Sequence, residues 1–205
     1  MPDIKRAGLP LDEAKKAIIL IHGRGATAES ILSLVPHLNL TDYAILAPQA
    51  NGNVWYPFGF MASDEGNKVA LANSLKLLSQ VWDEIIAAGI PSEQVFIAGF
   101  SQGACLSLEF AARNAKRMGG VIAFTGGLIG EQLEPSIYSG DFQGTPIYIG
   151  SSDRDFHVPA SRINDSANLL RKMGSDVHVE LFNDPDHTIR EEEINWVNQN
   201  IFIER

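Results

Sequence analysis

Residues 95–103 read Val-Phe-Ile-Ala-Gly-Phe-Ser-Gln-Gly, an apolar run that leads into a Gly-x-Ser-x-Gly pentapeptide. A helical pattern follows directly at residues 104–114, so the motif has the strand–turn–helix setting of a nucleophile elbow. Glycine at positions 99 and 103 suits a turn too tight for a Cβ, which leaves Ser101 on a strained backbone with its hydroxyl pointing outward. The stretch therefore predicts that Ser101 is an acyl-transfer nucleophile at the N-terminus of a helix, where developing negative charge is favoured.

Strand-like and helical patterns alternate on both sides of this motif. Apolar runs of the kind found in strands buried on both faces lie at residues 17–22, 44–48, 95–100, 120–125, 146–150 and 177–182. Helical patterns lie at residues 69–88, 104–114 and 159–174, and a final helix is predicted to begin with Thr188 as its N-cap. This alternation predicts a three-layer α/β fold, with a mainly parallel sheet of six to seven strands and no cap domain.

The composition indicates an ordinary globular protein. The 205 residues are 45% hydrophobic and 20% charged, which predicts one domain over residues 1–205. The net charge of −9 disfavours binding to nucleic acid or to an anionic membrane. The N-terminus lacks the apolar region of a signal peptide, and the longest aliphatic run, residues 17–21, is too short to span a bilayer. We therefore expect a cytoplasmic protein with no nucleic-acid partner and no stable membrane association.

A serine nucleophile needs a base and a group that orients the base. In elbow proteins the acid and then the histidine follow the serine along the chain. Asp153 and Asp155 both follow the fifth predicted strand, and the pattern favours Asp155, although both could merely cap the loop and the next helix. His187 follows the last predicted strand and is the favoured base, with His157 in the acid loop as the alternative.

The loop after the first predicted strand is rich in glycine, with His-Gly-Arg-Gly-Ala-Thr-Ala at residues 22–28. The backbone N–H groups of Arg24 and Gln102 are candidates for an oxyanion hole, and the Arg24 side chain is expected to point to water. The loop also fits the Gly23-x-Gly25 fingerprint of dinucleotide-binding proteins, so the alternatives to a hydrolase are a non-catalytic binding protein on the same scaffold or a dinucleotide-binding α/β protein. That fingerprint needs an acidic residue at the end of the second strand, where this sequence has Gln49.

An aromatic stretch at residues 54–61 needs a place for its large side chains. Trp55, Tyr56, Phe58 and Phe60 are candidates for the wall of a substrate pocket, and the favoured alternative is packing on the core or on a dimer partner. The single cysteine, Cys105, excludes an internal disulfide and is interpreted as a small packed residue of the elbow helix.

Together these motifs resemble the phospholipase/carboxylesterase family of α/β-hydrolases, which includes acyl-protein thioesterases and small bacterial carboxylesterases. The resemblance extends from about residue 18 to residue 201 and depends on residues 22–25, 99–103 and 153–159 and on His187. It implies an α/β-hydrolase fold and a serine esterase that cleaves small acyl esters, or thioesters or lysophospholipids, with neither metal nor cofactor. It places the acid on Asp155 and the oxyanion donors on the backbone N–H groups of Arg24 and Gln102.

The sequence departs from the family pattern at three places. Ala26 stands where many relatives have aspartate, and Asp184-Pro185-Asp186 stands where many have glycine. The aromatic stretch also differs. These differences leave the predicted triad in place and bear on the substrate, and the frequent dimers of the family make a homodimer an expectation here.

Overall fold

A sheet of seven strands forms the centre of the structure, a computed structural model that describes residues 3–203. The strands in this part of the chain are β1 (Ile4–Gly8), β2 (Lys16–Ile21), β3 (Tyr43–Pro48), β4 (Val95–Phe100), β5 (Gly120–Phe124), β6 (Pro146–Ser152) and β7 (Asp176–Phe182). Their order is β1-β3-β2-β4-β5-β6-β7, and all neighbours are parallel except β1 and β3. The single domain over residues 1–205 stays a prediction, and residues 1–2 and 204–205 lie outside the described residues.

Helices cover both faces of this sheet. They are α1 (Ala28–Ile31), α2 (Asp64–Ala87), α3 (Gln102–Arg113), α4 (Ala160–Lys172) and α5 (Glu191–Asn200), with short 3-10 helices at Leu32–His37, Asn51–Asn53, Ser92–Gln94 and Pro135–Ile137. Buried side chains of α2, α3 and α4 share one hydrophobic cluster with one face of the sheet, and those of α1 and α5 share a second cluster with the other face. This arrangement confirms the predicted three-layer α/β architecture.

The central strand β2 shows why the strands have continuous apolar sequences. Ala17, Ile19 and Ile21 belong to one cluster, Ile18 and Leu20 belong to the other, and all five are fully buried. A strand with helices on both faces has no solvent-facing side, so polar residues do not alternate with apolar ones.

The helices carry their apolar residues on one side. In α2, the longest helix, Leu78, Trp82 and Ile85 are buried at helical spacing, whereas Val69 and Ile86 are exposed. Of the helices within residues 3–203, none combines the length and the apolar character needed to cross a membrane.

Two elements differ from the sequence-based expectation. Strand β1 pairs antiparallel with β3 at the edge of the sheet, and its Ile-Lys-Arg-Ala-Gly sequence has no continuous apolar run because edge strands need none. The last helix begins at Glu191, so the predicted N-cap Thr188 is wrong. Arg190 is the N-cap, and its N–H donates to Oε2 of Glu193 at 2.8 Å.

Glycine at both ends of the Ser101 pentapeptide lets α3 lie against the sheet. A Cβ at Gly103 would be 2.1 Å from the carbonyl oxygen of Ile21, and a Cβ at Gly99 would be 2.4 Å from the backbone of Gly103. Between the two glycines, Ser101 has φ 54° and ψ −117°, a conformation that costs a non-glycine residue on the order of 1–3 kcal/mol. The contacts agree with the tight turn expected from the sequence.

We expect Gly103→Ala to destabilise the fold by about 2 kcal/mol or more, because the backbone of Ile21 and His22 must move to admit the methyl group. Gly59→Ala is the matched control, since a Cβ at Gly59 meets no atom within 4 Å. Urea unfolding followed by tryptophan fluorescence measures both variants. Equal unfolding midpoints for the two would contradict this account of the elbow.

A buried carboxyl group lies between α5 and the sheet. Glu193 is fully buried, and its burial raises its pKa from the usual 4.5 to about 7, an effect that the nearby Glu180 carboxylate increases. The backbone N–H and guanidinium of Arg190 and the hydroxyl of Tyr148 oppose this rise in the pKa of Glu193. The carboxyl group is therefore partly protonated at neutral pH.

We expect the stability of Glu193→Gln relative to the wild type to rise between about pH 4.5 and pH 7. In this window the folded wild type binds more protons than the unfolded chain, so its stability falls as the pH increases. The total difference is about 3 kcal/mol, and glutamine cannot ionise. Urea unfolding at a series of pH values measures the difference, and parallel stability curves for the two proteins would refute it.

Candidate active site

Ser101 lies at the carboxyl edge of the sheet, in the turn between β4 and α3. Its N–H donates to the carbonyl oxygen of Phe124 at the end of β5 at 2.9 Å, and its own carbonyl oxygen accepts from the N–H of Cys105 at 3.0 Å. The strained turn is therefore held from the sheet on one side and from the helix on the other.

The loop after β7 brings an imidazole to this serine. Nε2 of His187 lies 2.8 Å from Oγ of Ser101, and Nδ1 of His187 lies 2.7 Å from Oδ2 of Asp155. A carboxylate can only accept, so Nδ1 carries the proton and Nε2 is left as an acceptor facing the hydroxyl. The structure thus brings the three residues that the sequence nominated into one continuous series of hydrogen bonds.

Asp155, rather than Asp153, reaches the imidazole. The Asp155 side chain is fully buried, and its Oδ1 accepts from the N–H groups of His157 at 2.7 Å and Val158 at 2.9 Å. These donors compensate a carboxylate whose burial would otherwise be costly. The Asp153 carboxylate is partly exposed and pairs with Arg154 at 3.3 Å.

His157, the alternative base, lies beside His187 on the solvent side. The two ring centroids are 5.1 Å apart in an edge-to-face arrangement, and His157 is exposed. Within residues 3–203, the imidazole that hydrogen-bonds to the Ser101 hydroxyl is that of His187.

Two backbone N–H groups are available next to the serine. Gln102 is the first residue of α3, and a first-turn N–H has no partner within its own helix. Arg24 follows Gly23, and a Cβ at Gly23 would lie only 3.6 Å from Cβ of Ser101. In the described part of the chain, neither N–H donates to a protein group. Both therefore remain candidates for the oxyanion hole.

Arg24 is exposed, in line with the expectation from the sequence, but its guanidinium also binds the protein. Nη1 donates to the carbonyl oxygen of Pro57 at 2.9 Å, and Nη2 donates to those of Tyr56 at 2.9 Å and Phe58 at 2.7 Å. A planar guanidinium with several N–H groups can bind consecutive carbonyl oxygens of a bend in the chain at once. These hydrogen bonds join residues that are 32 to 34 positions apart in the sequence, so no local sequence pattern predicts them.

The Gln102 side chain binds the same segment. Its Oε1 accepts from the N–H of Trp55 at 2.9 Å, and its Nε2 donates to the carbonyl oxygen of Tyr56 at 2.8 Å. The indole N–H of Trp55 in turn donates to the carbonyl oxygen of His22 at 2.8 Å. The side chains of both predicted oxyanion residues therefore join the glycine loop, the elbow and the aromatic stretch into one unit.

Three of the four aromatic residues predicted to line a pocket are packed in the core. Trp55, Tyr56 and Phe60 are 2%, 1% and 8% exposed, whereas Phe58 is 56% exposed. Core packing is therefore the better account of the three buried rings, and a role in a pocket wall stays a prediction for Phe58.

His22 is a supporting residue that the sequence analysis did not identify. Its Nδ1 donates to the carbonyl oxygen of Gly23 at 2.8 Å, and its Nε2 accepts from the N–H of Ala50 at 3.1 Å. Burial lowers the pKa of His22, so the ring is neutral and holds the glycine loop. A histidine directly before the Gly-x-Gly loop is the one sequence signal for this role.

Cys105, one turn into α3, fits its interpretation as a packed residue. It is 2% exposed, and burial raises the pKa of its thiol to about 12. The thiol is therefore protonated at neutral pH and is not a reactive thiolate.

Potential metal ligands are not clustered at this site. Within residues 3–203, no group of three or more His, Cys, Asp or Glu side chains is arranged to hold a metal ion.

The fold and the hydrogen-bonded serine, histidine and aspartate define an α/β-hydrolase. The sequence model of the family described as phospholipase/carboxylesterase matches residues 5–204. The chain belongs to this family, and it is an ester hydrolase of the α/β-hydrolase type.

Proteins similar to this chain bear related names. The structure of a phospholipase/carboxylesterase from Dyadobacter fermentans is 47% identical, with a TM-score of 0.97 and coverage of 99% of this chain and 97% of that one. Acyl-protein thioesterase 1 of Saccharomyces cerevisiae is 30% identical over 75% of this chain and 76% of that protein. A Bacillus cereus carboxylesterase, 16% identical with a TM-score of 0.79 over 97% of this chain and 92% of that one, shares the fold.

We expect Arg24→Met to lower kcat for p-nitrophenyl butyrate by about 10-fold or more, because the loop N–H beside Ser101 is no longer held in place. Arg171→Met is the matched control, since Arg171 also donates to a backbone carbonyl oxygen, that of Val177 at 2.8 Å, but away from Ser101. Steady-state kinetics, with the melting temperature of each variant, make the measurement. An unchanged kcat in folded Arg24→Met would remove the link between the guanidinium and the oxyanion site.

Proposed function

We propose that the chain cleaves carboxylic esters through an acyl-serine intermediate, with Ser101 as nucleophile, His187 as base and Asp155 as the group that orients the base. The observation that carries the proposal is the pair of contacts at His187, 2.8 Å to Oγ of Ser101 and 2.7 Å to Oδ2 of Asp155. An imidazole acceptor at this distance can take the hydroxyl proton directly.

In the first half-reaction, Oγ of Ser101 attacks the acyl carbon while its proton passes to Nε2 of His187. The carbonyl electron pair moves to oxygen, and the N–H groups of Arg24 and Gln102 stabilise this oxyanion. The intermediate collapses, the bond to the leaving group breaks, and His187 returns the proton to the departing alcohol or thiol. Asp155 keeps the proton on Nδ1 and balances the positive charge of the imidazolium.

In the second half-reaction, water replaces the leaving group. His187 takes a proton from the water, and the resulting hydroxide equivalent attacks the acyl-serine carbon through a second oxyanion. Collapse of this intermediate releases the carboxylic acid, and Oγ of Ser101 recovers its proton from His187.

The position of the site supports small acyl esters as substrates. Ser101 is half-buried and the His187 side chain is 26% exposed, so an acyl group can reach both from solvent. Thioesters and lysophospholipids require the same steps, and the yeast relatives named acyl-protein thioesterase support the inclusion of thioesters. A cytoplasmic location and a homodimer stay predictions.

We expect Ser101→Ala and Asp155→Asn each to lower kcat for p-nitrophenyl butyrate by about 10⁴-fold. The first change removes the nucleophile, and the second offers the imidazole the wrong hydrogen-bond partner. Steady-state kinetics measure the loss, and mass spectrometry after mixing with substrate should show an acyl adduct only where Ser101 is intact.

Asp153→Asn is the matched control for the acid. Its carboxylate lies two residues from Asp155 but pairs with Arg154, so its activity should stay within a few-fold of the wild type. If Ser101→Ala turns over substrate at the wild-type rate, Ser101 is not the nucleophile and the proposed mechanism is wrong.

A further inference from the structure

The loop that carries His187 has its own set of fixed contacts. This base loop, residues 183–190, connects β7 to α5 and has neither helix nor strand structure. Asp155 and Ser101 bind the two ring nitrogens of His187, and the Phe100 ring lies 5.3 Å from the imidazole, centroid to centroid. Other residues must determine where the backbone of the base loop lies. Those residues lie on both sides of His187 and on the neighbouring strand β6.

Arg190 folds its side chain back over the base loop. Its Nη2 lies 2.5 Å from Oδ1 of Asp184, 2.6 Å from Oγ of Ser152 and 3.2 Å from the carbonyl oxygen of Asp186. The guanidinium also lies over the ring of Phe182, 4.5 Å from its centroid, which adds a cation–π contact. The Arg190 side chain is only 10% exposed, so solvent competes weakly for these bonds.

Ser152 connects the base loop to the strand that leads to the acid. It is fully buried at the end of β6, three residues before Asp155. Its hydroxyl accepts from Arg190, and it can donate either to Oδ1 of Asp184 at 2.8 Å or to the carbonyl oxygen of Asp186. One small side chain therefore fixes the acid-bearing and base-bearing segments relative to each other.

Asp184 completes the set from inside the base loop. Its Oδ1 also accepts from the N–H of Asp186 at 2.9 Å. The N–H of Asp186 is the largest cause that lowers the pKa of Asp184 below its usual value, and the Ser152 hydroxyl and Arg190 lower it further. The carboxylate is therefore charged at neutral pH. Pro185 lies between the two aspartates and restricts the backbone further.

These contacts converge on the peptide group that precedes the base. The carbonyl oxygen of Asp186 belongs to the same planar unit as the N–H of His187, and both Arg190 and Ser152 contact that oxygen. A fixed peptide plane sets the direction in which the His187 side chain leaves the backbone.

We propose that Ser152, Asp184 and Arg190 form a base-loop clamp that positions the His187 imidazole between Ser101 and Asp155, a role that rests on the proposed function of His187 as the base. The three are positioning residues. Asp184 and Arg190 belong to the base loop and Ser152 binds it from β6, and their contacts described above involve neither Ser101 nor the imidazole. Misplacement of a catalytic group by about 1 Å can cost about 100-fold in rate, so the clamp bears on kcat more than on substrate binding.

The first test replaces the guanidinium and keeps a long apolar stem. Arg190→Met should lower kcat for p-nitrophenyl butyrate by about 10- to 100-fold and leave KM within about 2-fold. Arg190→Lys should recover part of the loss, because an ammonium can still donate to Asp184 and to the Asp186 carbonyl oxygen. Arg171→Met again controls for the loss of an arginine bonded to a carbonyl oxygen elsewhere.

The second test uses a smaller substitution and observes the Nδ1 proton of the imidazole directly by NMR. Ser152→Ala keeps the Arg190–Asp184 ion pair and should lower kcat by about 3- to 10-fold. In both Ser152→Ala and Arg190→Met, proton NMR should show the low-field signal of the His187 Nδ1 proton weakened or broadened, because its bond to Asp155 is no longer held. A purely structural role would reduce the melting temperature and leave that signal intact in the folded fraction.

The outcomes separate the clamp from the catalytic assignment. If Ser101→Ala and His187→Ala are inactive but folded Arg190→Met and Ser152→Ala keep wild-type kcat and the low-field signal, the clamp is refuted and the triad stands. If Arg190→Met does not fold, Ser152→Ala alone decides in the same way. If His187→Ala retains wild-type activity, the proposed function fails first, and the clamp fails with it.

Discussion

The close approach of α3 to the carboxyl end of β2 is the constraint on which the site depends. Only glycine fits at position 103, because a Cβ there would lie 2.1 Å from the carbonyl oxygen of Ile21. Only glycine fits at position 99 for the same reason, since a Cβ there would lie 2.4 Å from the helix backbone at Gly103. This approach fixes the turn, imposes a positive φ on Ser101 and places the free N–H of Gln102 next to the glycine loop. A strained serine persists because two buried cores on opposite faces of the sheet hold the elements that surround it.

Around that turn, polar groups act through geometry more than through surface charge. A fully buried carboxylate with three donors orients the imidazole, and a guanidinium that binds three carbonyl oxygens holds the glycine loop to the aromatic stretch. Both oxygens of the Asp155 carboxylate have hydrogen-bond partners, which is the condition for burying its charge without a large penalty. The result is a site whose donors and acceptors are in place before a substrate arrives.

Much of the fold and the three hydrogen-bonded residues could be predicted, because each left a local signal. Strands buried on both faces are continuous apolar runs, the elbow is a pentapeptide, and His187 and Asp155 follow strands at the carboxyl edge. The roles of Arg24 and Arg190 could not be predicted, because a side chain that folds onto distant backbone has no periodicity and no motif. The N-cap at Arg190 was missed because Thr188 has the side chain that is favoured at an N-cap, whereas the capping bond that forms runs from the N–H of Arg190 to Oε2 of Glu193, three residues further along.

The position of β7 in the sheet has a consequence for how the molecule loses activity. Strand β7 is an edge strand, as β1 is, and among the described strands it is bonded to β6 alone. Edge strands open at lower free energy than central ones. The chain passes straight from this strand to the imidazole, so fraying there would part the base from the nucleophile while β2, β4 and their helices stay assembled. Mild heating or dilute denaturant would then inactivate the enzyme at a lower temperature or denaturant concentration than the one that unfolds the whole chain.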